Sequence, residues 1–395
     1  DRYMASKRSL IIISLVVVVI IAAIVGYYLS LPSPTQETIK IGFFAPLTGP
    51  ASADGLAALN GALLAVEKIN SQGGILNKKV ELVYYDDQLK PDQAVAIANK
   101  LIQQDKVVAV VSGSYSSTTL AASSIYEENK IPLVVAYAVH PGITANKTYV
   151  FRVGMLGETE GKAAGWAAVN VFKAKKVAIL YDNIPFGISL AENAKAIIEK
   201  SNATVVYYEK FDDPTRDFTP WLTAIANIKD LDVLIIFGYY YHAQVVKQAR
   251  QLGITAQILG AEGFDSPKFI ELAGSDAEGV VIVTDFNRDN PSSDVKNFIS
   301  AYKNKANIDA DMVAASSYDA VMVLAKAIQN AGSTNSNKII QALSTLENYD
   351  GIAGKILRFT QGHNAVKIMT LQVVRNGKFS FYAEISEPSI ITPSR

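Results

Sequence analysis

The chain has no cysteine, only three histidines and no net charge, its 37 Lys plus Arg being balanced by 37 Asp plus Glu. Without cysteine there is no disulfide framework, no thiolate nucleophile, no Cys-ligated zinc and no acylated cysteine to act as a lipid anchor. His140, His242 and His363 show no paired ligand spacing, so neither a metal site nor a metal cofactor is expected. The charge balance lacks the basic excess that binds a phosphate backbone, which removes nucleic acid from the expected partners. The nearest approach to a nucleotide loop, "GETEGKA" (157–163), lacks the first glycine and has Ala163 where Ser or Thr would hold magnesium. No G-x-S-x-G elbow presents a nucleophilic serine. The adjacent acids Asp86-Asp87 and Asp212-Asp213 end strands, where turn formers and caps are common. Nothing in this inventory argues for an enzyme or a cofactor.

What is present begins with "LIIISLVVVVIIAAIVGYYL" (10–29), twenty residues without a charge. At ~1.5 Å per helical residue they suffice to cross a ~30 Å hydrocarbon layer. Lys7 and Arg8 precede the run, Tyr27 and Tyr28 end it, and Pro32 to Thr35 follow. The positive-inside rule then places 1–9 in the cytoplasm, 10–29 in the cell membrane as a single span, 30–37 as a linker and the bulk of the chain outside. A cleaved signal peptide shares the charged start and apolar run. The length of the run and the lack of a small-x-small cleavage site favour a retained anchor.

At 395 residues, 49% hydrophobic and 19% charged, the chain is globular and too long for one small core. From Ile39 onward short Val/Ile-rich runs alternate with helix-period segments, the pattern of parallel sheets covered by helices on both faces. Strands are expected at 39–45, 80–87, 107–113, 133–138, 176–183, 204–211, 232–239 and 279–286. Helices are expected at 55–71, 91–104, 117–129, 157–172, 186–200, 217–228 and 241–252. The rhythm runs twice, changing over near residue 155, so two similar α/β domains are expected. Helices at 292–304, 312–331 and 335–347 come next, followed by a strand pair turning at Asn376-Gly377, a type I′ hairpin signal. Such late helices must pack on a sheet built earlier, so the chain returns to the first domain and hands its last strand pair to the second.

The run "SGSYSSTT" (112–119) leaves an apolar strand and enters a helix with seven hydroxyls in eight residues. One N-cap explains one hydroxyl. A Ser/Thr-rich helix start at the carboxyl end of a parallel strand is also a carboxylate site that needs no arginine, through free N–H groups and the positive end of the helix dipole. Both readings stand on these residues alone.

Five segments, in order, closely resemble the branched-chain amino acid type of extracellular solute-binding protein, the type I periplasmic binding proteins that serve ABC importers. They are "IKIGFFAPLTGPASADGLAALNGALLAVEKINSQGG", "VELVYYDDQLKPDQAVAIANKLIQQDKVVAVVSG", "IYEENKIPLV", "GYYYHAQVVKQARQLG" and "AEGFDSPKFIELAG". The resemblance covers roughly 38–382. It implies two doubly wound parallel-sheet lobes joined by a three-crossing hinge, 38–155 with 286–353 and 156–285 with 354–390, closing on a ligand held between them. It places the ligand α-carboxylate on Ser116 with Ser117 beside it, the α-amino group on Glu262, and a pocket tyrosine at Tyr239. Other positions depart from the pattern: Tyr137 and Val139 replace a small residue and a Ser or Thr, leaving their backbone groups to serve. Phe186 replaces a tyrosine and can stack but not donate, Tyr115 takes a side-chain pocket position, and Asp54 stands where an aromatic is common. Asp54 is read in the first place as a plain cap for helix 55–71, and Tyr318 as a pocket wall or a helix-packing residue. These departures weaken the expectation of a branched aliphatic ligand and leave an amino acid, an amide or a small carboxylate.

The expected function is therefore a membrane-anchored receptor that delivers a small molecule to an ABC permease, without catalysis. Two alternatives share the fold: a homo-oligomeric fibre or surface array packed through the apolar N-terminal helices, and a ligand-sensing ectodomain. Receptors of the latter kind continue into cytoplasmic signalling domains, whereas the sequence here runs to Arg395. Two sequons, at Asn146 and Asn202, would be open to glycosylation in the exported orientation.

Overall fold

The computed structural model describes residues 17–23 and 37–394. The chain divides into two compact units, Asp1–Thr38 and Ile39–Arg395. In the first, residues 17–23 are helical and Val17 to Ile21 are exposed. Among the described residues no helix is long and apolar enough to cross a membrane; 1–9 and most of the expected 10–29 span and 30–37 linker lie outside them.

The second unit opens with strands β1 (Ile39–Ala45), β2 (Val80–Asp86), β3 (Ala109–Ser112), β4 (Leu133–Val135) and β5 (Val150–Arg152). They form one parallel sheet in the order β2-β1-β3-β4-β5. The central strands are buried on both faces, which is why they read as unbroken apolar runs. Helices α1 (Ser52–Ser71), α2 (Pro91–Lys100) and α3 (Ser116–Glu128) connect the first four strands. The expected helix 91–104 is continuous, but its last turn, Leu101–Asp105, widens to π geometry.

After β5 the chain passes to α4 (Gly157–Trp166), extended by the π turn Ala167–Val171, and builds a second set of strands: β6 (Lys176–Asp182), β7 (Thr204–Phe211), β8 (Val233–Phe237), β9 (Gln257–Gly260) and β10 (Val281–Thr284). Helices α5 (Pro185–Glu199), α6 (Thr219–Ala226), α7 (Gln244–Gln251) and α8 (Pro267–Ala273) lie between them. The chain then goes back: α9 (Ser293–Ala306) and α10 (Met312–Ala331) pack on α1, and α11 (Ser336–Ser344) packs on α10. A small antiparallel sheet of β11 (Glu347–Gly351), β12 (Gly354–Phe359) and β13 (Ala365–Lys367) leads to β14 (Met369–Arg375) and β15 (Lys378–Ile385). These last two join the second sheet antiparallel, giving β15-β14-β10-β9-β8-β6-β7, before the short α12 (Pro388–Ile391).

Two features differ from the expectation. Strands β5 and β9, of three and four residues, were not among the expected strands. The expected helix 335–347 ends at Ser344, and Glu347–Gly351 is a strand, its partners being supplied by β12 and β13, which the sequence pattern did not reveal. The hairpin at Asn376-Gly377 does have positive φ at both central residues, 51° and 71°, as a type I′ turn requires.

Candidate functional site

The strand orders 2-1-3-4-5 in the first sheet and β7-β6-β8-β9-β10 in the second are the same winding, and each reverses direction at its first strand. In open α/β sheets that reversal opens a crevice at the carboxyl ends of the strands. One pocket lies at both crevices. Its walls are Asp54 on α1, Tyr115 and Ser116 after β3, Tyr137 to Val139 after β4, Phe186 after β6, Tyr239 after β8, Glu262 and Gly263 after β9, and Met312 and Val313 at the start of α10.

Of the ten residues expected to hold a ligand, the structure brings eight together here: Asp54, Tyr115, Ser116, Tyr137, Val139, Phe186, Tyr239 and Glu262. Ser117 and Tyr318 are not among the pocket walls. Ser117 is half-buried on the next position of α3, and Tyr318 stacks edge-on against Phe298 of α9 at 5.1 Å and faces Lys68. Of the two readings of Tyr318, helix packing is the one its surroundings favour. Met312, Val313 and Gly263 were not singled out in the sequence; the first two lie far along the chain, and only the return of α10 to the first sheet brings them in.

The hydroxyl row has a mixed use. Gly113 begins the turn because a Cβ there would meet the Phe43 ring at 2.2 Å. Ser112 then pairs with Thr119 and Ser114 with Thr118, hydroxyl to hydroxyl at 2.7 Å in both cases, which locks the turn onto the first turn of the helix. Most of the row is therefore structural. Ser116 is the exception: its Oγ reaches across to the segment after β4 and accepts from the Val139 and His140 N–H groups at 3.2 and 3.3 Å. Tyr115, at the helix N-cap, makes no side-chain capping bond, so the first N–H groups of α3 have no side-chain acceptor at that cap.

Asp54 does not cap its helix. The helix starts earlier, at Ser52, and Asp54 instead accepts the Tyr115 hydroxyl on Oδ2 at 2.6 Å. Aromatic rings fill the middle of the pocket: Tyr115 stacks on Tyr239 at 4.0 Å, Phe186 stacks on Tyr239 at 4.7 Å, and Tyr137 meets Tyr115 edge-on at 6.1 Å. The Tyr137 hydroxyl is turned away, donating to the Gly113 carbonyl at 2.7 Å.

Two of the walls are carboxylates, and none is a cation. Glu262 is 5% exposed and its Oε2 has no hydrogen-bond partner. Burial, and after it Glu160 and Asp285, push its pKa well above the usual carboxylate range. Burial also raises Asp54, with Asp311 adding to the effect and the Tyr115 hydroxyl opposing it. Around the pocket lies a set of buried charges that the sequence analysis did not single out. Arg152, fully buried at the end of β5, donates to the carbonyls of Ala138 and His140 at 2.7 and 2.6 Å and to Asn364 Oδ1 at 2.8 Å, fixing the wall after β4. Glu160 Oε1 accepts the Glu262 N–H at 2.8 Å. Lys367 pairs with Asp285 at 2.5 Å, and Arg288 forms an ion pair with Asp265. A charged residue inside an apolar run, such as Arg152 in "YVFRVG", was the available signal. Among the described residues no three His, Asp or Glu side chains are placed to hold a metal ion. The sequon residues Asn146 and Asn202 are both exposed and not part of the pocket.

Two doubly wound sheets sharing one pocket at their switch points define a type I periplasmic binding protein. A family model described as periplasmic binding protein matches residues 38–378, and the chain belongs to that family of binding proteins, which are not enzymes. It is 32% identical over 330 residues to the leucine-, isoleucine-, valine-, threonine- and alanine-binding protein of Pseudomonas aeruginosa, covering 82% of this chain and 87% of that one. The crystal structure of the leucine binding protein LivK from Thermotoga maritima superposes with a TM-score of 0.82 at 29% identity, over 89% of this chain and 99% of the other. The branched-chain amino acid transporter substrate binding protein LivJ of Streptococcus pneumoniae, in complex with isoleucine, gives 0.81 at 31% identity, over 88% and 99%.

Proposed function

We propose that this protein captures an amino acid outside the cell and delivers it to an ABC importer permease. The observation that carries the reading is the pairing, within one pocket, of an uncapped helix start bearing Ser116 with the unpartnered buried carboxylate of Glu262. The first suits an α-carboxylate and the second an α-ammonium, so a zwitterion satisfies both ends at once. The two walls come from different sheets, and a ligand bridging them favours the closed state over an open one. The sheets would be the cores of two lobes, 38–155 with 286–353 and 156–285 with 354–390. The names of the relatives, which bind leucine, isoleucine, valine, threonine or alanine, support the ligand class and the transport role. The apolar run 10–29 would hold the chain at the outer face of the membrane, a reading to which the exposed apolar residues Val17 to Ile21 add support.

Calorimetry against the common amino acids tests the capture reading. An ammonium left facing no carboxylate is an uncompensated buried charge, so Glu262→Ala should cost about 2–5 kcal/mol of binding. Ser116→Ala keeps the helix N–H groups and should cost about 1–3 kcal/mol. Negligible losses at both positions place the ligand elsewhere, and a loss at Ser116 alone indicates a carboxylate without an amino group.

A further inference from the structure

The zwitterion leaves one buried acid in the pocket unused. Asp54 is 4% exposed, and its Oδ1 has no hydrogen-bond partner. The groups around it do not neutralise it. Tyr115 donates to Oδ2; Asp311, the N-cap of α10, is spent on the Ala314 N–H at 2.8 Å; Asp265 is held by Arg288 and Thr284. The Tyr302 hydroxyl, also nearby, is itself buried without a partner, and that of Tyr240 is engaged with the Pro50 carbonyl at 2.5 Å. No Lys, Arg or His lines the pocket. A buried carboxyl in such surroundings is costly unless a donor reaches it.

We propose that Asp54 receives the side chain of the bound amino acid, and that this side chain ends in an N–H donor, an ammonium or an amide, in place of a branched aliphatic group. The inference rests on the amino acid reading above and names the class of amino acid. With Ser116 and the start of α3 on the carboxylate and Glu262 on the ammonium, Asp54 is the remaining charged wall, and it belongs to a third element. The Tyr115, Tyr239 and Phe186 rings, stacked on one another, line the pocket beside Asp54 as an aromatic wall against which an alkyl stem packs. A leucine or isoleucine side chain would meet the same rings but leave Oδ1 facing methyl groups. A site built to hydrogen-bond a ligand group rejects an analogue that lacks it, because the site's own polar atom is then left unpaired.

Titration calorimetry of residues 38–395 with L-lysine, L-ornithine, L-glutamine, L-leucine and L-isoleucine tests this, on wild type, Asp54→Asn and Asp54→Leu. Melting curves of the ligand-free variants establish folding, and the volume-conserving Asn variant keeps the test open if Leu does not fold. At least one of the three N–H-bearing amino acids should bind wild type at least about tenfold more tightly than leucine. Asp54→Asn should weaken lysine and ornithine more than glutamine, and Asp54→Leu should shift the preference toward leucine by at least about tenfold. Leucine or isoleucine binding wild type within about tenfold of the best of the three, or a preference unchanged in a folded Asp54 variant, overturns the inference while leaving amino acid capture intact. If none of the five binds while another common amino acid does, the inference fails and amino acid capture stands; if no common amino acid binds wild type, the amino acid reading fails and the inference with it.

Discussion

Glu262 has a like-charged neighbour where a cation would ordinarily sit. Glu160 accepts its backbone N–H at 2.8 Å, both side chains are buried, and burial pushes Glu160 from the usual 4.5 up to about 8. Burial raises Glu262 most, Glu160, Asp285 and Asp265 raise it further, and Lys367 opposes them. Arg152 is itself pulled down to about 9 by burial, with Glu262 opposing the fall. Because the Glu160 carboxyl holds a proton in the folded protein that the unfolded chain has already lost, its contribution to stability is complete below about pH 4.5 and declines as pH rises to about 8, and Glu262 acts in the same direction. An ammonium ligand requires ionised Glu262, so binding expels a proton, and affinity should rise as the pH climbs from the ordinary carboxylate range through neutrality. Glu160→Gln keeps the acceptor oxygen and removes the charge; Glu262 then ionises at lower pH and the affinity profile flattens. Calorimetry across this range, in buffers of different ionisation enthalpy, measures both slope and proton release. A flat wild-type profile with no proton released would refute the coupling.

Helix α10 acts as a fastening for the chain where it returns toward the second sheet. Its face against α1 is continuous with the core, and its Asp319, 1% exposed, accepts the N–H groups of Ile352 and Ala353, both at 2.8 Å. Those two residues form the turn between β11 and β12, a segment whose short strands would otherwise have little to hold them. Asp319→Ala leaves two buried donors without an acceptor and should lower stability by about 2–4 kcal/mol. Asn retains one acceptor oxygen and should recover roughly half of that. Urea denaturation of both variants decides it: an Ala variant within about 0.5 kcal/mol of wild type would show that the turn holds itself.

At the scale of the whole molecule, single side chains tie elements of one sheet to elements of the other. Tyr240, after β8, reaches the start of α1, donating to the Pro50 carbonyl at 2.5 Å and accepting the Ala53 N–H at 3.4 Å. The buried Asp285–Lys367 pair ties the segment leaving β10 to β13, so two passages between the sheets are coupled to each other. A delivery protein must also remain near its permease, and the proposed anchor makes a prediction at this scale. When expressed in cells, the full chain should stay in the membrane fraction after an alkaline carbonate wash, whereas residues 38–395 should be released. Equal release of both forms would argue against a retained span.

Much of the architecture was legible because its causes are local. Unbroken apolar strands, helix-period segments and Asn376-Gly377 each express a constraint within a few residues, so the doubly wound pattern and the last hairpin could be read from them. The motif-borne positions Ser116, Tyr239 and Glu262, which line one pocket, lie in stretches recognisable by resemblance. What depended on distant partners was not legible. The hydroxyl row could not declare that Ser112 and Ser114 would be spent on Thr119 and Thr118 while Ser116 reached the segment after β4. Asp54 looked more like a helix cap than a pocket wall until Tyr115, 61 positions away, was seen to hold it. Glu160 sat unnoticed in a failed phosphate loop until folding set it against Glu262. Local sequence thus determined the elements and their order, because backbone conformation and side-chain period are short-range properties. Only the tertiary structure decided which charges were buried and what faced them, because desolvation and pairing depend on the groups brought close in space, whatever their separation along the chain.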